Sequence, residues 1–190
     1  MIKSANLEEE YFVVLTFNYS DLKPVLEIQK AIAEHYNLYK REEYPELHIT
    51  IDRIKKDSFI EAKKVLEKVV DDAKKIQVKV TDFKCFQLSN NSLTLQVDKT
   101  EGLKKLSNKI HDRLGKNGIS TIDKYNQWNF HITLVSNHFV ETSIPNVDFD
   151  KLCYLLEGKE YSLCTSVEAV EIWRPVLDPN KKQVASFELS

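Results

Sequence analysis

The sequence predicts an α+β chain built as two similar lobes, and three observations carry that prediction. Apolar residues alternate along short runs rich in β-branched and aromatic side chains, which is the period of strands. Between those runs they recur every three to four residues, the period of helices. The order of these elements then repeats, because both halves read helix, His-Ile-Thr strand, helix, strand, strand. A single domain over 1–190 is expected, with approximate sequence halves 1–98 and 99–190 between which strands are free to cross. No Gly/Ser-rich linker separates the halves, so they are expected to share an interface and a cleft.

The elements follow in order. Tyr11 to Phe17 reads as a buried strand. Ser20 or Asp21 is placed to cap a helix that tolerates Pro24 in its first turn and continues on Val25, Ile28 and Ile32 to about Tyr36. A charged stretch from Lys40 to Glu46 leads into the strand Leu47-His48-Ile49-Thr50-Ile51. Ser58 and Glu61 have capping-box spacing ahead of a helix carried by Phe59, Ala62, Val65, Leu66 and Val69. Ile76, Val78 and Val80 alternate, and a turn at Asn90-Asn91 separates them from Leu93, Leu95 and Val97, a hairpin-like pair. In the second half, Leu103, Leu106, Ile110 and Leu114 give a helix closed by Gly115 and Gly118. Phe130 to Val135 is a strand, and Phe149 to Leu156 a short helix ending at Gly158. Two final strands, about Tyr161 to Val176 and Gln183 to Leu189, flank a turn at Asp178-Pro179-Asn180.

Composition excludes several classes. At 42% hydrophobic and 29% charged, the 190 residues carry enough apolar area for a core, so disorder is excluded. A net charge of −2 does not suit a coat for duplex nucleic acid, where many phosphates must be neutralised at once. It is compatible with a small anionic ligand held by a few aimed donors. Cys85, Cys153 and Cys164 are an odd number without CxxC spacing, and read as small buried side chains in a reducing compartment rather than a disulfide framework or zinc site. The chain opens without a secretory pattern and contains no apolar run of membrane-spanning length, so a cytoplasmic protein is expected.

The chemistry-bearing residues are concentrated in two strands. Side chains alternate between the faces of a strand, so His48 and Thr50 share one face while Leu47, Ile49 and Ile51 bury the other. His131 and Thr133 share a face in the same way, backed by Phe130, Ile132 and Leu134. Chance supplies about 0.2 His-x-Thr triplets in such a composition, and two apolar-flanked copies at equivalent places in a repeat are far rarer. An imidazole with an ordinary pKa near 6.5 accepts or donates a proton at neutral pH. Two of them around one phosphorus can therefore activate an attacking oxygen and protonate a leaving one. Threonine hydroxyls beside them can donate hydrogen bonds to the oxyanion that forms. A phosphodiester is the natural substrate.

These paired, apolar-flanked His-x-Thr strands closely resemble those of the two-histidine (2H) phosphoesterase superfamily, the LigT-like or 2′-5′ RNA ligase-like proteins, and the resemblance covers nearly the whole chain. It implies a bilobal α+β fold of two pseudo-symmetric lobes, each with an antiparallel-type sheet and helices, around a central cleft carrying one His-x-Thr motif per lobe. It also implies metal-independent chemistry, with no cofactor, on cyclic phosphodiesters or 2′-5′ linkages in nucleotides or RNA. His48, Thr50, His131 and Thr133 are the implied catalytic residues. Members often carry Arg three positions after the second motif's Thr; here Ser136 stands there, and Arg53 holds the same offset after the first motif. The acid and base roles of His48 and His131 are left undivided.

Weaker candidates surround the motifs. Tyr44, Tyr125 and Trp128 are candidates to stack on a nucleobase, and Arg53 and Arg174 to contact phosphate. The Lys pairs, Lys181-Lys182 among them, read as solvated faces. His35, His111 and His138 receive no role. GxSxG, GxxxxGK[ST] and GxGxxG are all missing from the sequence, and no third ligand sits at a zinc spacing. The expected activity is a phosphodiesterase acting on 2′,3′-cyclic phosphate ends of RNA or on small cyclic nucleotides. A non-catalytic nucleotide or RNA-end binding module and a 2′-5′ RNA ligase remain as alternatives. The expected partner is a small nucleotide or RNA terminus, with no bulk duplex and no membrane, and a monomer is favoured.

Overall fold

Among the described residues, seven strands and four of the five helices form in the order the sequence implies, and the fifth, the short helix Pro179–Lys182, stands at the expected turn. In the computed structural model, which describes residues 5–39, 44–87, 91–137, 140–159 and 161–190, the chain runs β1 (Glu10–Phe17), α1 (Lys23–His35), β2 (Ile49–Lys55), α2 (Phe59–Val70), β3 (Ile76–Gln87) and β4 (Asn91–Val97). It continues as α3 (Glu101–Lys116), β5 (His131–Ser136), α4 (Asn146–Leu156), β6 (Leu163–Trp173), α5 (Pro179–Lys182) and β7 (Gln183–Glu188). Residues 1–4 and 40–43, Asn90 of the expected turn, and His138 lie outside the described residues.

The strands form one antiparallel sheet in the order β1-β2-β5-β4-β3-β6-β7. β6 also pairs with β1, so the pairings close into a circuit. Exchanging β1 with β4, β2 with β5 and β3 with β6 leaves every pairing in that circuit unchanged. The repeating unit in space is therefore strand-helix-strand-helix-strand: β1-α1-β2-α2-β3, then β4-α3-β5-α4-β6. The sequence frame, which began each unit on a helix, is offset by one strand because the pairing partner of a strand is not a local property. β7 lies outside the repeat, on the edge of β6.

The units interlock. Helix α1 packs on β5 and α3 on β2, so the first helix of each unit covers the motif strand of the other. Gln29 of α1 fastens this contact by donating to the Leu134 carbonyl at 2.8 Å. Leu47, Ile49, Ile51, Ile132 and Leu134 are fully buried. Each of these side chains contributes about 1.5–3 kcal/mol of transfer free energy, so the faces opposite the motif residues anchor both strands.

Helix ends depart from expectation in two places. Neither Ser20 nor Asp21 caps α1; Asp21 instead accepts from Thr165 and from the backbone of Ser166 on β6. Ser58 makes no cap hydrogen bond to α2, because it closes a 3-10 turn over Lys56–Ser58 with ψ near 14°. An N-cap normally needs the extended conformation that aims its hydroxyl at the helix. Thr100 does cap α3, accepting from Leu103 N at 3.3 Å. Gly118, with φ at +66°, turns the chain after α3.

The cysteines require a correction. Cys85 on β3 and Cys153 on α4 form a disulfide, and Cys164 alone is free and exposed. Packing of α4 on β3 sets the two Cα atoms 6.0 Å apart, within bonding reach, across a separation of 68 residues that no local spacing reveals. The inference from unpaired thiols to a reducing compartment falls with it. No helix among the described residues is long and apolar enough to cross a membrane. A thiol-reactive dye on the denatured protein should count one thiol before reduction and three after; three before reduction would contradict the bridge.

Candidate active site

Among the described residues, β2 and β5 pair at a single position, Ile49 opposite Ile132. Antiparallel strands place residue i+1 of one across from residue j−1 of the other, with both side chains on the same face. Counting outward from that pair sets Thr50 across from His131 and His48 across from Thr133. The isoleucines point into the core, so all four polar side chains turn the other way. There they line one cleft of about 530 Å³. Because the pairing stops after one step, the strands diverge on either side and leave space between the motifs.

The two imidazoles are mounted alike. His48 Nδ1 donates to the carbonyl of Glu46 at 2.8 Å, and His131 Nδ1 donates to that of Asn129 at 3.1 Å. A carbonyl can only accept, so the hydrogen sits on Nδ1 and Nε2 is the free nitrogen of each ring. Trp173 of β6 lies against His48 with ring centroids 4.6 Å apart, and Phe86 of β3 lies 6.1 Å from His131. Burial lowers the His48 pKa to about 4, and the Lys182 ammonium and His131 push the same way while the Glu46 carbonyl opposes them. Burial also lowers His131. At neutral pH both rings favour the neutral form.

An ion pair between a buried lysine and a half-buried glutamate stands beside His48. Lys182, only 7% exposed, pairs with Glu46 and sits 3.9 Å above the Trp173 ring. Tyr19 donates to the other oxygen of the same carboxylate. Phe12, Tyr39, Ser92, Ser136, Arg174 and Val176 contribute to the remaining walls of the cleft.

The model of the 2′-5′ RNA ligase superfamily matches residues 46–179, a span that starts two residues before His48 and includes both motifs. The chain belongs to the 2′-5′ RNA ligase superfamily. Three solved structures share its fold over nearly the full length of both chains. TT0787 of Thermus thermophilus is 12% identical with a TM-score of 0.63, covering 95% of this chain and 97% of its own. A phosphoesterase is 14% identical with a TM-score of 0.55, and E. coli LigT complexed with 3′-AMP is 13% identical with 0.53, each covering 96% of this chain and 98% of its own. No curated protein matches.

On this superfamily fold, the weaker candidates divide. Arg174 lines the cleft, its guanidinium donating to the Lys181 carbonyl. Arg53 does not line it; it is 3% exposed, faces Glu10 at 3.4 Å and lies 5.6 Å from the Trp128 ring. The β1–β2 ladder slips at Ile51, an extra residue on β2 between Asp52 opposite Val13 and Thr50 opposite Val14, and beyond it Arg53 is held by Glu10 and Trp128 rather than beside the motif residues. Tyr125 and Trp128 also lie outside the cleft lining. Tyr125 donates to the Ile51 carbonyl and stacks on His111 at 3.8 Å, and Trp128 donates to the Thr50 carbonyl. Both hold the backbone of β2. Tyr44 packs edge-on against Tyr39 behind the cleft wall. His111 pairs with the fully buried Asp52, which also accepts from Ser120, so it belongs to the support of β2.

Lys182 and Trp173 escaped the sequence reading. Lys182 looked like one of several lysine pairs on solvated surface, yet α5 folds it inward onto Trp173. A tryptophan followed by Arg174 at the end of a strand was the available signal, but nothing local ties it to a histidine 125 positions earlier. Among the described residues no group of three or more His, Cys, Asp or Glu side chains is arranged to hold a metal ion.

The His48 shift fixes a pH dependence of stability. A histidine titrating near 6.5 when unfolded and near 4 when folded binds more protons in the unfolded chain between those values. Its contribution is complete above about pH 6.5 and is lost as pH falls toward 4. Urea denaturation across that window should show stability falling with acid in the wild type, with a shallower slope in His48→Gln. Equal slopes would contradict the neutral buried imidazole.

Proposed function

We propose that the chain is a 2H-type phosphodiesterase that opens 2′,3′-cyclic phosphate termini of RNA or small cyclic nucleotides. The convergence of His48, Thr50, His131 and Thr133 on one cleft supports this reading most directly. Water attacks phosphorus while one imidazole takes its proton through Nε2. The bond to a ribose oxygen breaks on the opposite side, and the other imidazole, protonated, delivers a proton to that oxygen. The product is a ribose phosphomonoester with one free hydroxyl. Thr50 and Thr133 donate to the non-bridging oxygens as charge builds on them. Side chains do this work without recruiting a cofactor.

A nucleotide is the natural ligand class to test. E. coli LigT has been solved with ATP and with 3′-AMP. The cleft here offers Phe86 and Trp173 as apolar faces beside the reacting centre, with Arg174 toward an anion. The overall negative charge favours a nucleotide or an RNA end over a long duplex.

Purified protein incubated with 2′,3′-cyclic nucleotides in excess EDTA should form nucleoside monophosphate. His48→Ala and His131→Ala should each lower kcat by about 10²–10⁴-fold, the usual worth of a positioned acid or base. Thr50→Val and Thr133→Val should each lose about 10–10³-fold, the loss of one oxyanion donor. Turnover that survives both histidine substitutions overturns the mechanism. Tight binding without product by the wild type indicates a binding module, and 2′-5′-linked product from RNA fragments indicates a ligase.

A further inference from the structure

The exchange that maps β1 onto β4 and β2 onto β5 extends to individual residues of the cleft. Phe12 pairs with Arg53 and Trp173, and the corresponding Ser92 pairs with Ser136 and Phe86. Both ladders shift register at the matching step, between Val13 and Val14 on β1 and between Leu93 and Thr94 on β4. His48 is thereby matched by His131, Glu46 by Asn129, and Trp173 by Phe86. Each imidazole has its Nδ1 on a matched carbonyl and an aromatic ring from a matched strand beside it.

Two features are unmatched. Glu46 carries a carboxylate where Asn129 carries a neutral amide. Lys182 arrives from α5, which with β7 is the part of the chain outside the repeat, and is buried between Glu46 and the face of Trp173. On the other side a cation over the matched ring is the solvent-exposed Lys84, 5.5 Å from Phe86.

We propose that Lys182 breaks the equivalence of the two imidazoles, making His48 the proton acceptor and leaving His131 as the proton donor. The proposal rests on the phosphodiesterase reading above. The active form of such a site shares one proton between its two imidazoles, and the proton resides where an imidazolium costs less. A fixed ammonium behind His48 raises that cost on one side only. The groups facing His48 are Lys182 from α5, Glu46 from the approach to β2, and His131 from β5. The Glu46 carboxylate would favour an imidazolium, but Lys182 and Tyr19 already occupy both of its oxygens. Tyr19 and Glu171 reach His48 only through Glu46 and Trp173, the latter donating to Glu171. Arg174 adds positive charge to the cleft beyond β6. Apart from His48 across the cleft, His131 has only its burial and the Asn129 carbonyl acting on it among the described residues. In the reaction, water loses its proton to His48 Nε2 as its oxygen bonds to phosphorus. His131 Nε2–H gives its proton to the departing ribose oxygen. Lys182 transfers nothing and is a positioning residue.

The test is a pH titration of ¹⁵N-histidine-labelled protein followed by NMR, alone and with saturating inorganic phosphate. Spectra of His48→Gln and His131→Gln assign the two signals. Phosphate should raise both midpoints, and the first proton should settle on His131. Lys182→Met should raise the His48 midpoint by about one pH unit or more while moving that of His131 by much less. Lys182→Arg, which keeps the cation, should restore the wild-type order. Glu46→Gln combined with Lys182→Met should give an intermediate His48 midpoint, since both charges are then gone. A first proton on His48 in the wild type overturns the proposal, as does a His48 midpoint indifferent to Lys182→Met. If Lys182→Met does not fold, the wild-type order and the Lys182→Arg titration decide. The readout is protonation, so a protein that hydrolyses no cyclic phosphate would refute the reaction without altering the measured order.

Discussion

The site depends on one backbone contact, the pairing of Ile49 with Ile132. Two motifs 83 residues apart in the chain become neighbours because, among the described residues, their strands pair there and nowhere else. An additional paired step on either side would draw the strands together and close the space between the imidazoles. No pairing at all would leave each motif on a separate sheet edge. The register also decides the facing: a slip of one residue in either strand would send its histidine into the core and its isoleucine toward the cleft. Burial of Ile49 and Ile132 makes that slip costly, so the hydrophobic faces of the strands set the geometry of their polar faces.

A strand that leaves its partner after one pair exposes backbone groups that must be satisfied elsewhere. The structure meets this demand on β2 with side chains and a short segment. Trp128 takes the Thr50 carbonyl and Tyr125 the Ile51 carbonyl. The segment 119–121 then follows β2, with hydrogen bonds linking Lys55 to Ile119 and Thr121 to Arg53. Asp52, fully buried, ties Ser120 and His111 to the same strand. Residues near the motifs that look like ligand contacts in sequence are thus employed in holding β2 at its angle to β5.

The duplicated architecture explains how two matched histidines arise, and in the proposal above Lys182 of the appended α5 is what makes them differ. Twofold symmetry alone would give identical proton affinities. The proposed acid–base chemistry needs one ring to start neutral and the other protonated, and unequal affinities fix which ring is which. Burying the Lys182 ammonium beside one ring carries a desolvation cost that a purely structural contact could avoid with an apolar side chain. In the proposal above, its location against Trp173 and beside His48 gives that cost a function.

What the sequence determined by itself was everything that depends on near neighbours along the chain. Period-two alternation put His48 with Thr50, and His131 with Thr133, on polar faces backed by apolar ones. Three-to-four spacing produced α1 to α4 close to their expected limits, and the repeated order of elements indicated a duplicated α+β fold. Tertiary structure decided what depends on distant partners. It paired β2 with β5, offset the repeat by one strand, joined Cys85 to Cys153, buried Arg53 against Glu10 and Trp128 and folded Lys182 onto Trp173. Propensity and alternation act over a few residues, whereas register, disulfide pairing and the burial of a charge are set by segments that meet only once the chain has packed.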